Sequence, residues 1–134
     1  FISLFFAEFE NNGNLFYANG GHPSPLIFKN KGIQELHPTG LIFGAFPDIS
    51  IKRSFAHLEE GDLLLLYSDG IIERQNADEE FFTIKEVIKL VKKHKSKKAA
   101  DIIEILFEEA DKFGNGVKWE DDATLMVIKR IKTK

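Results

Sequence analysis

The sequence contains no cysteine, which excludes a disulfide framework, a thiolate metal site and a thiol nucleophile. That composition is compatible with a reducing cytoplasm, the expected location. No apolar stretch approaches the roughly 20 residues that a membrane-crossing helix requires; the longest candidate, Leu63-Leu64-Leu65-Leu66, is far too short. No membrane contact is therefore expected. Positive charge is not in excess either: the net charge is −3, so no overall attraction to nucleic acid or to an anionic membrane is expected. Tryptophan and methionine occur once each and tyrosine twice, which leaves thirteen phenylalanines to supply the aromatic core.

What remains is an ordinary globular composition, 43% hydrophobic and 29% charged over 134 residues, of a size that suits one domain or a large piece of one. The first half reads as strands and turns. Residues 1–10 and 14–19 are apolar or aromatic runs separated by Asn11-Asn12-Gly13, a hairpin signal. Residues 25–28 and 33–36 flank Lys29-Asn30-Lys31-Gly32, a second hairpin. Residues 49–58 read as a further strand with period-2 alternation. Residues 63–67 form an unbroken apolar run between turn residues, which suits a strand buried on both faces.

The second half carries two helices. Ile84, Val87, Ile88 and Val91 have the spacing of one helical stripe, and Ala99, Ile102, Ile103, Leu106, Phe107 and Ala110 repeat it over three turns. Ile102, Ile103, Leu106 and Phe107 are expected inside, with Asp101, Glu104, Glu108 and Asp111 outside. Ser96 reads as the N-cap of the second helix and Gly114 as its stop. A loop over 115–122 leads to a last strand over 123–128 and a basic tail. The pattern is an α+β arrangement of mostly antiparallel strands with a C-terminal helical pair and a closing strand.

Two acidic positions stand out by placement. Asp69 follows the buried strand directly and precedes Gly70, whose missing side chain lets the backbone approach a ligand closely. Asp121-Asp122 precedes the last strand. Carboxylates at sheet ends are the hard oxygen donors that magnesium and manganese prefer, although Asp-Gly is also a common turn and Asp-Asp a common loop pair. Gly20-Gly21-His22-Pro23 ends a strand in a proline-braced loop, where His22 reads as a hydrogen-bonded loop residue. The run Lys92-Lys93-His94-Lys95-Ser96-Lys97-Lys98 raises the question of nucleic acid, but it joins two helices, and lysines in a last helical turn suit the negative end of the dipole.

Three segments occur in order: Asn19-Gly20-Gly21-His22-Pro23-Ser24-Pro25, then Gly61-Asp62 through Ser68-Asp69-Gly70-Ile71-Ile72-Glu73, then Asp121-Asp122-Ala123-Thr124-Leu125. Gly40-Leu41-Ile42-Phe43-Gly44 matches a further segment. Together they resemble the bacterial branch of the metal-dependent (PPM-type) protein serine/threonine phosphatases, the SpoIIE-like domains and sigma-factor regulatory phosphatases, over essentially the whole chain. The resemblance implies part of an α-β-β-α sandwich that hydrolyses phosphoserine or phosphothreonine on a regulatory protein, such as an anti-sigma-factor antagonist. It implies Asp69 and Asp121 as catalytic metal ligands, with Asp122 and Gly70 in the metal site and Gly20, Gly21 and His22 in a bordering loop. Glu73 matches the motif's trailing acid. Two Mn²⁺ or Mg²⁺ ions would activate a water for in-line attack on phosphorus without a covalent phosphoenzyme.

The family's domain begins with a further segment that supplies other metal ligands. The chain is therefore expected to be the C-terminal portion of a single phosphatase domain, residues 1–134, with an upstream sensor or regulatory domain in the parent. Phe1, Phe5, Phe6 and Phe9 are expected near an exposed apolar edge that favours a homodimer or association with the upstream part. The alternative is a phosphatase-like binding or regulatory module without activity.

Overall fold

A computed structural model describes residues 1–133. Seven strands and three helices follow the order β1 (Leu4–Phe9), β2 (Asn14–Gly20), β3 (Leu26–Phe28), β4 (Ile33–Glu35), β5 (Ser54–His57), β6 (Leu63–Tyr67), α1 (Asp69–Ile72), α2 (Thr83–His94), α3 (Ala99–Gly114) and β7 (Leu125–Lys129). One sheet has the order β1-β2-β5 and the other β4-β3-β6-β7. The α+β reading therefore holds. The chain divides into two compact units, Phe1–Leu64 together with the segment from Lys129 onward, and Leu65–Ile128.

In the first unit both expected hairpins are present. Residues 10–13 turn the chain between β1 and β2, with Gly13 at φ 94° donating its N–H to the Glu10 carbonyl at 3.0 Å. The antiparallel register pairs Leu4 with Gly20 and Phe9 with Leu15, while β2 pairs with β5 from Asn14–His57 to Tyr17–Ser54. Period 2 then sorts the side chains: Leu15, Tyr17 and Ala56 are buried, and Phe5 stacks on Tyr17 with ring centroids 5.7 Å apart. Leu4, Phe6, Phe16 and Phe55 share the opposite face, where Phe16 and Phe55 meet at 5.6 Å and the Arg53 guanidinium sits 5.3 Å from the Phe16 ring centroid. Phe1, Phe6 and Phe9 are exposed as expected, whereas Phe5 is half-buried through its stack.

The strand expected over 49–58 is shorter. Only Ser54–His57 pairs with β2. Ahead of it, Lys52 donates its N–H to the Thr39 carbonyl at 3.1 Å and Ile51 packs on Gly20 and Gly40, so this stretch is committed to the 39–40 loop. Arg130 closes the unit from the far end of the sequence. Its N–H bonds the Asp62 carbonyl (3.0 Å), its own carbonyl accepts from Gly61 (2.7 Å), and its guanidinium donates to the Leu58 carbonyl (2.7 Å). A Cβ at Gly13 would collide with the same Leu58 carbonyl and with that guanidinium.

β6 runs across the division. Leu63, Leu64, Leu65 and Tyr67 are buried and Leu66 half-buried, as an apolar run covered on both faces requires. In the second unit α2 and α3 bury Val87, Val91, Ile102, Leu106, Ala110 and Gly114. The spacing of four in α3 from Ile102 to Gly114 makes a narrow stripe. Ile103 and Phe107, expected inside, flank it and are only half-buried.

The capping expectation also shifts. Lys98, not Ser96, holds the N-cap position of α3 and makes no side-chain cap bond, because Ser96 lies in the turn before it. The helix stops at Asn115, left-handed at φ 47° with its N–H on the Asp111 carbonyl at 3.0 Å, one residue beyond Gly114. α1, a single turn, is the third helix that periodicity did not indicate.

Leu106→Ala is expected to lower unfolding free energy by about 2–5 kcal/mol, and Phe107→Ala by clearly less, because its ring is only half-buried. Urea denaturation of the two variants side by side checks the order.

Candidate metal centre

Asp69 stands at the first position of α1, directly beyond the end of β6. Ser68 before it has extended backbone (φ −100°, ψ 165°) but makes no side-chain cap bond to the helix. Its hydroxyl is used elsewhere: Oγ accepts the Thr124 N–H at 2.8 Å and lies 3.5 Å from the Asp122 carbonyl, to which it donates. The backbone repeats the connection, Ser68 N–H donating to the Thr124 carbonyl at 3.0 Å. The Ser-Asp-Gly turn is thus tied to the segment after Asp121 at Asp122 and Thr124.

Gly70 completes this arrangement. It is buried, and a Cβ there would collide with the carbonyl of Asp122 and crowd Ala123. The sequence points to close approach of the Gly70 backbone to a ligand; the group packed against the glycine is instead the chain's own Asp122 carbonyl. Asp69, Asp121 and Asp122 are all exposed. Asp121 Oδ1 accepts the Asp122 N–H at 2.8 Å, which fixes its carboxylate within the loop and leaves the other oxygen for a ligand. A cavity of about 300 Å³ opens beside Gly70 and Asp121 and is lined further by Glu73, Glu120, Arg74 and Trp119.

Gly20, Gly21 and His22 belong to the first unit, where they end β2. Gly21 has φ 74°, a conformation that favours glycine, and a Cβ at either glycine would press on the 41–43 segment. His22 donates its backbone N–H to Asn19 Oδ1 at 2.9 Å, and its ring Nδ1 lies 2.7 Å from the Pro23 carbonyl. Since that carbonyl can only accept, Nδ1 carries the proton. His22 is therefore the hydrogen-bonded loop residue its context indicates. Asn19 organises the loop: fully buried, it bonds the Leu36 carbonyl through Nδ2 (3.1 Å), and its own carbonyl accepts from Thr39 and Gly40.

Sequence reasoning did not single out the roles of Ser68, Asn19 or Arg74. For Ser68 the available signal was a hydroxyl residue at the junction of a buried strand and an Asp-Gly turn. Asn19 opens the Asn-Gly-Gly-His-Pro motif, but nothing there announces its bonds to residues 36–40. Nothing local marks Arg74.

The donors fit a hard divalent cation in kind. Magnesium is commonly held by one or two carboxylates, with waters and substrate oxygens completing the shell, and two exposed aspartates on tied segments offer that. Among the described residues no group of three or more His, Cys, Asp or Glu side chains is gathered closely enough to cage an ion.

The family model described as "Stage II sporulation protein E (SpoIIE)" matches residues 1–131. Phosphoserine phosphatase RsbU of Bacillus subtilis is 29% identical over 133 residues, covering 97% of this chain and 39% of that protein. Among solved structures, the Mn-presoaked phosphatase domain of the cell fate determinant SpoIIE from Bacillus subtilis superposes with a TM-score of 0.68 at 18% identity, covering 98% of this chain and 58% of that one. The SiaA-PP2C domain of Pseudomonas aeruginosa gives a TM-score of 0.75 at 16% identity, covering 88% of this chain and 47% of that one. These structures share the fold.

Gly70→Ala is expected to destabilise the protein by about 1–3 kcal/mol, the usual cost of overpacking, because a carbonyl fills the space. Ser68→Ala removes the hydroxyl that accepts from Thr124 and is expected to cost about 1 kcal/mol, while Ser68→Thr keeps the hydroxyl and should cost less than Ser68→Ala. Chemical denaturation curves for the three variants measure this.

Proposed function

The chain belongs to the stage II sporulation protein E (SpoIIE) family, and from that premise we propose that it forms part of a metal-dependent protein serine/threonine phosphatase that releases phosphate from a phosphorylated regulatory protein. The observation that carries this reading is the double tie between Ser68-Asp69-Gly70 and Asp122-Ala123-Thr124, which interlocks the two segments that bear the exposed Asp69 and Asp121, with Gly70 and Asp121 lining one cavity.

Asp69 and Asp121 would hold the cation. Asp122 contributes through its backbone, its N–H fixing the Asp121 carboxylate and its carbonyl seated against Gly70. When bound, Mn²⁺ or Mg²⁺ supplies charge neutralisation at the phosphoryl oxygens and activation of the attacking water. The chain offers no cysteine nucleophile, in keeping with direct transfer of the phosphoryl group to water. A pair of ions, as in the notion of a two-cation centre, requires ligands beyond these aspartates. The Mn-presoaked SpoIIE domain supports metal dependence, and the description of RsbU as a phosphoserine phosphatase supports the substrate class. The finer reading is a cytoplasmic enzyme under the control of a regulatory domain, acting on an anti-sigma-factor antagonist. The chain spans 39% of RsbU.

The lack of a three-ligand cluster among the described residues favours one second reading, a phosphatase-like binding module without turnover. One experiment separates the two. The intact protein is given a phosphoserine peptide, and phosphate release is followed with Mn²⁺ and with EDTA. Metal-dependent release is expected, and Asp69→Asn or Asp121→Asn should each reduce it by at least about 100-fold, since even outer-shell changes at metal sites cost roughly 10–100-fold. Equal turnover in Asp69→Asn would remove the aspartate from the site; no release from the unaltered protein would leave the binding module.

A further inference from the structure

Arg74 lies two residues beyond the end of α1 and is 4% exposed. A buried guanidinium normally needs several acceptors, yet this one donates from Nη2 to the Val117 carbonyl at 2.6 Å, while Nε and Nη1 are buried without a hydrogen-bond partner among the described residues. What they face instead is aromatic: the guanidinium carbon lies 4.4 Å from the centroid of the Trp119 ring. On another side it rests on α3 at Gly114, where any Cβ would overlap it. Gly114 is thus the position on the buried stripe of α3 that accommodates the arginine.

Trp119 is held in turn. Its Nε1–H donates to Asp111 Oδ1 at 2.8 Å, and its ring meets Phe107 with centroids 6.4 Å apart. The half-buried state of Phe107 follows from this partner in the loop. Arg74 comes shortly after Asp69, and Trp119 shortly before Asp121. The two acid-bearing segments therefore touch twice, at Gly70 and Asp122 and again at Arg74 and Trp119, with Asp121 between the contacts on its loop.

Resting on the metal-site reading above, we propose that Arg74, Trp119 and Asp111 form a clamp that positions Asp121 for divalent-cation binding, with Arg74 as the principal positioning residue. A planar, delocalised cation is what the stack requires; the ammonium of lysine would keep the charge but lose the plane and the fork that reaches Val117. The clamp acts on where Asp121 sits, so its loss should weaken cation binding more than it slows the reaction once the cation is bound.

The test is calorimetric titration of the intact protein with Mn²⁺, alongside phosphate release as a function of Mn²⁺ concentration. Arg74→Lys is expected to weaken Mn²⁺ affinity about 10-fold or more, in the range for residues that orient ligands, with kcat at saturating Mn²⁺ within about twofold of the parent. Asp111→Ala should weaken binding likewise, while Asp111→Asn, which keeps an oxygen acceptor for Trp119, should retain parental affinity. Circular dichroism confirms that each variant is folded. Asp121→Asn serves as the reference. If it abolishes Mn²⁺ binding while Arg74→Lys binds like the parent and only melts earlier, the clamp is structural and the proposal is overturned. If Arg74 variants keep Mn²⁺ affinity but lose binding of inorganic phosphate, the arginine is an anion subsite and the proposal is likewise overturned. Unchanged Mn²⁺ binding in Asp121→Asn would instead remove the metal-site reading on which the clamp rests.

Discussion

The Asp122 carbonyl occupies the volume that a side chain at position 70 would need. That one exclusion sets the path of two segments far apart in sequence. With glycine at 70, the chain leaving β6 can turn into α1 hard against the 121–124 segment, and Ser68 can reach Thr124 with both its hydroxyl and its backbone. Asp69 and Asp121 then have little freedom relative to those anchors, although their carboxylates are exposed. Pre-organisation of this kind is what a ligand-binding carboxylate needs from its surroundings. The serine hydroxyl, spent on the neighbouring segment, is unavailable to cap the helix that follows it.

A second constraint works on the far side of the same loop. Residues 115–122 have no regular structure, yet they are held at Val117 by a hydrogen bond, at Trp119 by a cation and a carboxylate, and at Asp121 by a bond within the loop. Loops that carry functional groups are commonly positioned by rigid elements beneath them. Here α3 supplies that support through Asp111 and Gly114, which face the loop near the helix end.

Much of this was legible in the sequence because burial imposes simple periods. The β1–β2 and β3–β4 hairpins follow from alternation broken by Asn-Asn-Gly and Lys-Asn-Lys-Gly, and β6 from an apolar run too short for anything but a doubly covered strand. The two long helices follow from a spacing of three and four. The errors have equally local causes. Residues 49–53 alternate like a strand but bond to Thr39, a partner that no period announces. Ser96 has the chemistry of an N-cap, but the helix begins later. Phe107 lies on the expected stripe, yet its neighbour is a loop tryptophan. For the site, the aspartates and glycines could be read as an ordered set of motifs, whereas Ser68, Asn19 and Arg74 act through distant backbone groups. Such bonds depend on tertiary placement, and nearby sequence does not say which partner they take.

The first unit is discontinuous in sequence: the segment from Lys129 onward returns to it, and Arg130 bonds at Leu58, Gly61 and Asp62 beside Gly13. The second unit is one unbroken stretch. A ribosome therefore delivers everything the second unit needs before it delivers the residue that closes the first. During synthesis the β1–β2 turn waits, with the Leu58 carbonyl lacking its arginine, until Arg130 has cleared the exit tunnel. Of the two units, the one that starts later in the sequence is thus the first whose residues are all available.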